Sequence, residues 1–245
     1  MDYLPLLKAL CLKGSPTVLA GFAAALPQCI AVANLTTSKR LAAFIAQCAH
    51  ESDGFRTTVE YASGAAYEGR KDLGNTVKGD GVRFKGRGVI QLTGRANYAA
   101  YGKLLGVDLV GNPSLAAAFP YAALTAAHFW NTKKLNAFAD AGDLKEVTRR
   151  INGGYNGLAQ RLDYYSKALK VVQEPKAEPD VKQPEKSVEA PKTSSAIVLT
   201  TTIAGGSAAA AAQTQGLPLP IVIGLVVVAF GFAAFLIFKA RKATQ

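Results

Sequence analysis

Two glutamates that lie nine positions apart are the residues of this sequence best suited to acid–base chemistry. Glu51 follows the segment QCAH, and Glu60 stands between Val59 and Tyr61. Residues 1–170 contain only four glutamates, so a close pair in an apolar and hydroxylic segment is unusual for a solvated face. Inverting cleavage of a glycosidic bond needs one carboxyl group to protonate the leaving oxygen and another to activate water. Carboxyl pairs also serve as helix caps and salt-bridge partners, so the spacing alone leaves both interpretations open.

A second stretch with chemical potential is GRGVIQLTGRANY, residues 86–98. Its amide, hydroxyl and aromatic side chains offer the hydrogen bonds and flat faces that N-acetyl groups and pyranose rings need. Glycines are dense between residues 74 and 88, which indicates tight turns and close backbone approach. No GxxxxGK[ST] pattern is present, so the glycines do not form that phosphate-binding loop. The stretch therefore favours one wall of a sugar-binding cleft.

Four separated motifs, in the same order along the chain, resemble glycoside hydrolase family 19, within the class I chitinase superfamily. They are AHESDGF, VEYASGAAYEGRKDLGN, GDGVRFKGRGVIQLTGRANYAAYG and VTRRINGGYNGLAQR. The short spacing of the two glutamates favours the bacteriophage endolysin and lysozyme-like branch over the plant chitinases, which carry a longer insertion. The resemblance implies a lysozyme-like, two-lobed helical hydrolase that inverts configuration on a β-1,4-linked polymer of N-acetylated amino sugars.

The resemblance also implies a role for individual residues. Glu51 would be the general acid, Glu60 the general base, and Thr93 the hydroxyl that helps to hold the attacking water. The predicted substrate-binding residues are His50, Tyr61, Gln91, Asn97, Tyr98 and Asn152. His50 has the weaker claim, because a single histidine beside a catalytic group is more often a structural hydrogen-bonding residue. Glu68 is interpreted as a salt-bridge or cleft-shaping residue.

The elements that must position these residues are predicted to be mostly α-helical. Apolar spacing indicates two short helices before residue 30, the second beginning at Ser15-Pro16, and a third from Thr37 or Ser38 to Glu51. The apolar body of the third helix predicts apolar walls around Glu51. Helices are also expected over 116–132, 144–150 and 158–172, and a small β-containing segment over 88–93.

The composition is basic, with 28 Lys and Arg against 17 Asp and Glu, for a formal net charge of +11. Most of the surplus lies in residues 1–170, which suits an anionic polymer or surface. Nucleic acid is not expected as a partner, because the basic residues are scattered and no nucleic-acid-binding motif appears. The three cysteines have no CxxC spacing, so no metal site is indicated, and the motifs imply no organic cofactor.

The chain changes character after residue 172. Residues 173–195 are rich in proline and alternating charge, which predicts a disordered linker. An Ala/Gly/Thr-rich spacer follows at 196–216, then 22 uncharged residues at 217–238, long enough for one transmembrane helix, and a basic tail at 239–245. The basic tail predicts a cytoplasmic C-terminus, with the catalytic domain, 1–172, on the cell-wall side of a host inner membrane or virion membrane.

The sequence therefore predicts a membrane-anchored, endolysin-like glycosidase that cleaves the glycan of peptidoglycan. The same chemistry on chitin or chito-oligosaccharides is the alternative substrate. A catalytically inactive, membrane-anchored wall-binding protein is the alternative from another class. Retention of both glutamates, Thr93 and the sugar-contacting amides argues against that last interpretation, because a protein that only binds has no need of an acid and a base.

Overall fold

The computed structural model describes residues 2–172 and is mostly helical, as predicted. Short 3-10 segments stand between the longer helices, at Ala65–Tyr67, Lys71–Leu73 and Pro113–Ala117. The α-helices of this range are α1 Leu4–Leu10, α2 Pro16–Ala33, α3 Ser38–Glu51, α4 Asp80–Arg83, α5 Arg95–Leu105, α6 Tyr121–Thr132, α7 Asn136–Asp140, α8 Leu144–Asn152 and α9 Leu158–Val171.

The starts of α2 and α3 follow from local sequence chemistry. Pro16 occupies the first turn of α2, where its missing N–H and fixed φ carry no penalty. The Thr37 side chain accepts a hydrogen bond from the backbone N–H of Arg40, which satisfies one of the unpaired donors at the start of α3. Pro16 thus marks the start of α2, and Thr37 marks the start of α3, the helix that carries Glu51.

Helix α3 runs through the larger of two hydrophobic clusters. Every residue from Leu41 to Ala49 is buried, so the helix is enclosed on all sides over this length. The Phe44 ring meets Trp130 of α6 edge-on, with ring centroids 5.5 Å apart, and stacks at 6.2 Å on Phe22 of α2. Its alanines allow neighbouring helices to approach closely. Burial on all sides holds the end of α3, where Glu51 lies, in a fixed position.

Helix α2 is the one helix in residues 2–172 that is long and apolar enough to cross a membrane. It has 18 residues and a mean hydropathy of 1.6. Leu19, Phe22 and Leu26 of this helix are buried in the larger cluster. Core packing therefore accounts for the apolar character of the buried third of the helix.

The smaller hydrophobic cluster gathers residues between α3 and α6. Phe84 and Tyr98 form its centre, with ring centroids 5.2 Å apart in an edge-on arrangement. The predicted β-containing segment is reduced to isolated antiparallel bridges that join Arg87 to Val59 and to Leu92, because the chain reverses within residues 88–91.

One predicted helix is shorter than expected and two were not predicted. Residues 116–132 do not form a single helix: α6 begins at Tyr121, after the Phe119-Pro120 bond. A proline disfavours the α conformation at the residue before it, here Phe119, which explains the break. Helices α4 and α7 have only four and five residues, too few to show a periodic pattern. The predicted linker at 173–195, spacer at 196–216, transmembrane helix at 217–238 and basic tail at 239–245 lie outside the described residues.

The burial of α2 makes a testable difference between two leucines. Leu26 is fully buried, whereas Leu12 is 88% exposed. We expect Leu26→Ala to lower the free energy of unfolding by about 2–5 kcal/mol, because it leaves a cavity in the core. Leu12→Ala should change it by less than about 0.5 kcal/mol. Urea titration followed by fluorescence of Trp130, the one tryptophan of the chain, measures both. Equal losses would contradict the packing described.

Candidate active site

Glu51 ends α3 in an ion pair with Arg161 of α9. Nη2 of Arg161 lies 2.6 Å from Oε1 of Glu51, and the Arg161 side chain is fully buried. The Glu51 side chain keeps 13% of its surface exposed. The expectation of apolar walls around Glu51 is therefore wrong: the helix body is apolar, but the carboxyl group at its end faces a cation from another helix.

Arg161 is held by contacts to several elements. Nη1 donates to Oε1 of Gln47 on α3, and Nε donates to the carbonyl oxygen of Asn156 at 3.3 Å. Nε2 of Gln47 in turn donates to Oγ1 of Thr148 on α8 at 3.3 Å. Arg161 is not among the site residues predicted from the sequence. Its signal was its place at the end of the motif VTRRINGGYNGLAQR, but only the tertiary structure brings it to Glu51.

His50 lies beside this ion pair and is positioned by the start of α9. Its Nδ1 is 2.7 Å from Oε1 of Gln160. A Cβ atom at Gly157 would stand only 2.0 Å from Cε1 of His50, and the φ of Gly157 is +71°, so only glycine fits there. Burial, together with the nearby charge of Arg161, lowers the pKa of His50. These contacts give His50 a structural place next to Glu51.

Glu60 lies in a second and different environment. Its Oε2 accepts a hydrogen bond from the Tyr67 hydroxyl at 3.0 Å, and its backbone N–H donates to the carbonyl oxygen of Gly86. Its Oε1 is buried and has no hydrogen-bond partner within residues 2–172. Burial raises the pKa of Glu60, while the hydrogen bond from Tyr67 acts in the opposite direction. One carboxylate oxygen is thus held and the other is left available.

Gly86 brings Glu60 and Gln91 together. A Cβ atom at position 86 would lie 2.2 Å from Oε1 of Gln91 and 2.8 Å from Oε2 of Glu60. A side chain at position 86 would therefore force the carboxyl group of Glu60 or the amide of Gln91 to move. Oε1 of Gln91 is also buried without a partner among the described residues. The sequence motifs indicate Glu60 and Gln91 but not the glycine that lies against both.

Thr93, Asn97 and Asn152 supply further polar groups. Oγ1 of Thr93 donates to the carbonyl oxygen of Gln91 at 3.3 Å, and Nδ2 of Asn97 donates to the carbonyl oxygen of Thr93 at 2.7 Å. Both side chains therefore brace the turn that carries Gln91. Asn152, at the end of α8, is buried, and its Nδ2 has no partner within residues 2–172.

The unpartnered polar atoms of the described region fall on predicted site residues. In residues 2–172 the buried side-chain atoms without a hydrogen bond are Oε1 of Glu60, Oε1 of Gln91 and Nδ2 of Asn152. Buried polar groups are nearly always paired, since an unpaired one carries a desolvation cost. Three such atoms on residues chosen for sugar chemistry are typical of a site that a ligand or ordered water completes.

Two predicted aromatic contacts have different outcomes. Tyr98 is fully buried: its hydroxyl donates to the carbonyl oxygen of Lys85 at 2.7 Å, and Nη1 of Arg87 donates to it at 2.9 Å. The prediction that its ring stacks on a sugar is wrong, because the ring packs in the smaller cluster against Phe84. Tyr61 is 65% exposed, with its hydroxyl 3.1 Å from Oδ2 of Asp53, so its ring is accessible to a ligand.

Glu68 holds a loop through backbone amides. Its carboxylate oxygens accept hydrogen bonds from the N–H groups of Gly79, at 2.6 Å, and Gly81, at 2.9 Å. Of the two roles proposed for Glu68, the structure supports shaping of the loop, and Glu68 makes no salt bridge within residues 2–172.

The arrangement offers two carboxyl groups in contrasting surroundings. Glu51 is paired with a buried arginine, whereas Glu60 is desolvated and keeps one oxygen unpartnered. No hydrogen bond in the described range joins the two groups. No group of three or more His, Cys, Asp or Glu within residues 2–172 is arranged to hold a metal ion.

Comparison with known proteins places this arrangement in a family. The family model described as chitinase class I, glycoside hydrolase family 19, matches residues 17–143. A glycosyl hydrolase family 19 domain-containing protein of Haemophilus influenzae is 32% identical over 61% of this chain and 88% of its own length. An endochitinase of Arabidopsis thaliana is 37% identical over 53% of this chain. This chain covers only 47% of that plant protein's length.

Solved structures share the fold at low sequence identity. A bacterial family 19 chitinase superposes with a TM-score of 0.57 at 22% identity, over 71% of this chain and 96% of its own. Chitinase C from Streptomyces griseus gives a TM-score of 0.55 at 21% identity, over 71% of this chain and 79% of its own. Together with the family match, these findings show that the chain belongs to glycoside hydrolase family 19 and is a glycosidase of that family.

Proposed function

We propose that this protein hydrolyses the β-1,4 bonds of the peptidoglycan glycan by single displacement with inversion. The observation that carries the proposal is that two carboxyl groups, each held by a partner of its own, stand at the positions where the family resemblance implies an acid and a base. Glu51 is oriented by Arg161, and Glu60 is desolvated with a buried, unpartnered oxygen. A single displacement needs these two roles, a positioned proton donor and a base that can accept a proton from water.

Glu51 acts as the acid in this proposal. Arg161 engages Oε1 of Glu51, so Oε2 is the oxygen that faces the leaving group and donates the proton to it. The contacts of Arg161 with Gln47 and Asn156 hold the guanidinium in place. A rotation of the Glu51 carboxyl group would therefore break its contact with Arg161. The acid is therefore held in one orientation while the glycosidic bond breaks.

Glu60 acts as the base. Tyr67 fixes Oε2, which leaves Oε1 to accept a proton as water attacks the sugar. Gln91 lies against the same glycine as Glu60, and Thr93 braces the turn that carries Gln91. We assign Thr93 and Gln91 to holding the water, and Asn97, Asn152, His50 and Tyr61 to the sugar-binding surface around it. No metal or organic cofactor is needed for this sequence of steps.

The charge of the chain favours peptidoglycan. Its formal net charge is +11, and peptidoglycan carries carboxylates on its peptide stems, whereas chitin is uncharged. Chitin is the second candidate, because the plant relatives are endochitinases and the fold is that of solved chitinases. A catalytically inactive wall-binding protein has less support, because it would have no use for an unpartnered buried carboxylate.

We also propose that a helix at 217–238 anchors the protein in a membrane. This segment has 22 residues without charge and is followed by Lys239, Arg241 and Lys242. The basic residues favour a cytoplasmic C-terminus, with the hydrolase domain on the cell-wall side. Residues 173–195 would then be the tether between domain and membrane.

The role of Glu51 is tested by a matched pair of substitutions. We expect Glu51→Gln to lower turnover by about 10²- to 10⁴-fold or more, since no proton reaches the leaving oxygen. Glu146→Gln removes a carboxylate that pairs with Arg149 and Arg150 on the surface and should leave turnover near that of the wild type. Both are assayed on peptidoglycan and on chitin oligomers, with mass analysis of the new ends. An active Glu51→Gln protein would remove Glu51 from the mechanism, and cleavage of chitin alone would change the substrate.

The role of Glu60 is tested through pH. The Tyr67 hydroxyl lowers the pKa of Glu60 by stabilising the carboxylate, so Tyr67→Phe should raise that pKa further. A base must be deprotonated to act, so the acidic limb of kcat/KM should move to higher pH in Tyr67→Phe. Tyr121→Phe, on α6, is the control. If the acidic limb does not shift, Glu60 is not the base in the step that limits kcat/KM.

The anchor is tested by fractionation. We expect the full chain to sediment with membranes and to resist alkaline carbonate extraction, because 22 apolar residues cross the bilayer. A chain that lacks residues 217–245 should remain in the supernatant. Deletion of 239–245 alone serves as a control for the basic tail. Recovery of the full chain in the carbonate supernatant would exclude a spanning anchor.

A further inference from the structure

A basic groove lies beside the smaller hydrophobic cluster. It has a volume of about 940 Å³ and runs between residues 77–83 and residues 110–114, with Arg87 and Arg95 also lining it. It shares no lining residue with the candidate active site. Gly86 touches Glu60 and Gln91, while the next residue, Arg87, lines the groove. The groove and the proposed base therefore lie next to each other along the chain without overlapping.

The groove carries an excess of positive charge. Lys78, Arg83, Arg87 and Arg95 line it, against one carboxylate, Asp80. Asp80 is buried and already binds Arg95, with a 2.8 Å contact to its Nε. Within residues 2–172, Lys78, Arg83 and Arg87 form no salt bridge. Three positive charges in the groove are thus left without a carboxylate partner.

Two of these arginines are held in place by neutral acceptors. Nη2 of Arg83 donates to the carbonyl oxygens of Val110, at 2.9 Å, and Gly111, at 3.0 Å. Nη1 of Arg87 donates to the carbonyl oxygen of Arg83 at 2.9 Å. A guanidinium has five N–H donors, so each arginine is fixed by some donors and keeps others for an anion. Groups fixed before binding lose little freedom when a ligand arrives.

The remaining walls suit a small peptide better than a sugar or a nucleic acid. Val77 is 56% exposed and Val82 is 54% exposed, and both line the groove. No aromatic side chain lines it, so it offers no surface on which bases or pyranose rings stack. Exposed valines between fixed cations match a peptide that alternates small apolar groups with carboxylates.

We propose that this groove binds the carboxylate-bearing peptide stems of the wall polymer while the glycan occupies the active site. The inference rests on the proposed function for its choice of polymer and deepens it, because it names the part of peptidoglycan that chitin lacks. The groove would raise affinity for a peptide-bearing glycan without taking part in bond cleavage.

The test is binding of the full chain, purified in detergent and carrying Glu51→Gln, to insoluble peptidoglycan. Three solids are compared by co-sedimentation: intact peptidoglycan, the same material stripped of its peptides by an amidase, and chitin. Lys78→Gln with Arg83→Gln is set against Lys13→Gln with Lys103→Gln, which removes two exposed charges that do not line the groove. Lys78→Gln alone leaves the Arg83 contacts intact, and Trp130 fluorescence checks folding of every variant.

We expect the groove variant to bind intact peptidoglycan about fivefold more weakly and Lys78→Gln alone about twofold more weakly, with the control pair unchanged. On stripped peptidoglycan the groove variant should lose nothing further, since the peptides are already gone. Equal binding to intact and stripped material, or equal losses in the groove and control pairs, would overturn the proposal. Tight binding of a single-stranded oligonucleotide that the groove variant loses would reassign the groove to nucleic acid. Because binding needs no turnover, failure of the groove is distinguishable from failure of the proposed hydrolysis.

Discussion

The buried charge of Arg161 is the interaction on which the position of Glu51, the proposed acid, depends. A guanidinium without solvent exposure must be paired and hydrogen-bonded, because an unpaired buried charge carries a large desolvation cost. Arg161 meets this requirement with Glu51 and Gln47 of α3 and a carbonyl oxygen of the loop before α9. Removal of one partner from such a group typically costs about 3–5 kcal/mol. The orientation of Glu51 and the packing of α9 on α3 therefore depend on one cation.

Close packing at Gly86 shapes the surroundings of Glu60, the proposed base. At Gly86 the backbone passes so close to Glu60 and Gln91 that a methyl group would overlap both side chains. Oε2 of Glu60 is the oxygen that lies against Gly86, and Oε1 is buried without a hydrogen-bond partner among the described residues. The resulting desolvation raises the pKa of Glu60, and Tyr67 limits the rise by donating to the other oxygen. The two glutamates therefore lie in different environments: Glu51 is in an ion pair with Arg161, and Glu60 is buried.

A linked set of contacts in the loops between α3 and α5 supports Tyr67, which donates a hydrogen bond to Glu60. Nδ2 of Asn75 donates to the carbonyl oxygen of Tyr67, and Oδ1 of Asn75 accepts from the backbone N–H of Arg95. Arg95 in turn pairs with buried Asp80. Asp80 and Arg95 line the basic groove, and Asn75 binds the backbone of Tyr67. The same network therefore supports the residue that positions Glu60 and one wall of the proposed peptide site. This explains why a region with little regular secondary structure is well packed.

The sequence by itself determined the family, the helical class and the pair of glutamates. The helix starts could be predicted because Pro16 and Thr37 affect only the first turn of the helix that they precede or begin. The motifs could be recognised because their residues are close in sequence. It also indicated Gln91 and Asn152, each of which has a buried side-chain atom without a hydrogen-bond partner among the described residues. What these signals share is that each depends on near neighbours along the chain.

Only the tertiary structure decided which side chains meet across long separations. Arg161 lies 110 positions from Glu51, so no local pattern showed that an ion pair would replace the expected apolar walls. Tyrosine is a residue type that stacks on sugars, but the ring of Tyr98 is buried in the core against Phe84. The basic groove likewise needs residues 77–83 and 110–114 to come together. Burial and charge pairing are set by the three-dimensional neighbours of a side chain, and for these residues those neighbours are distant in sequence.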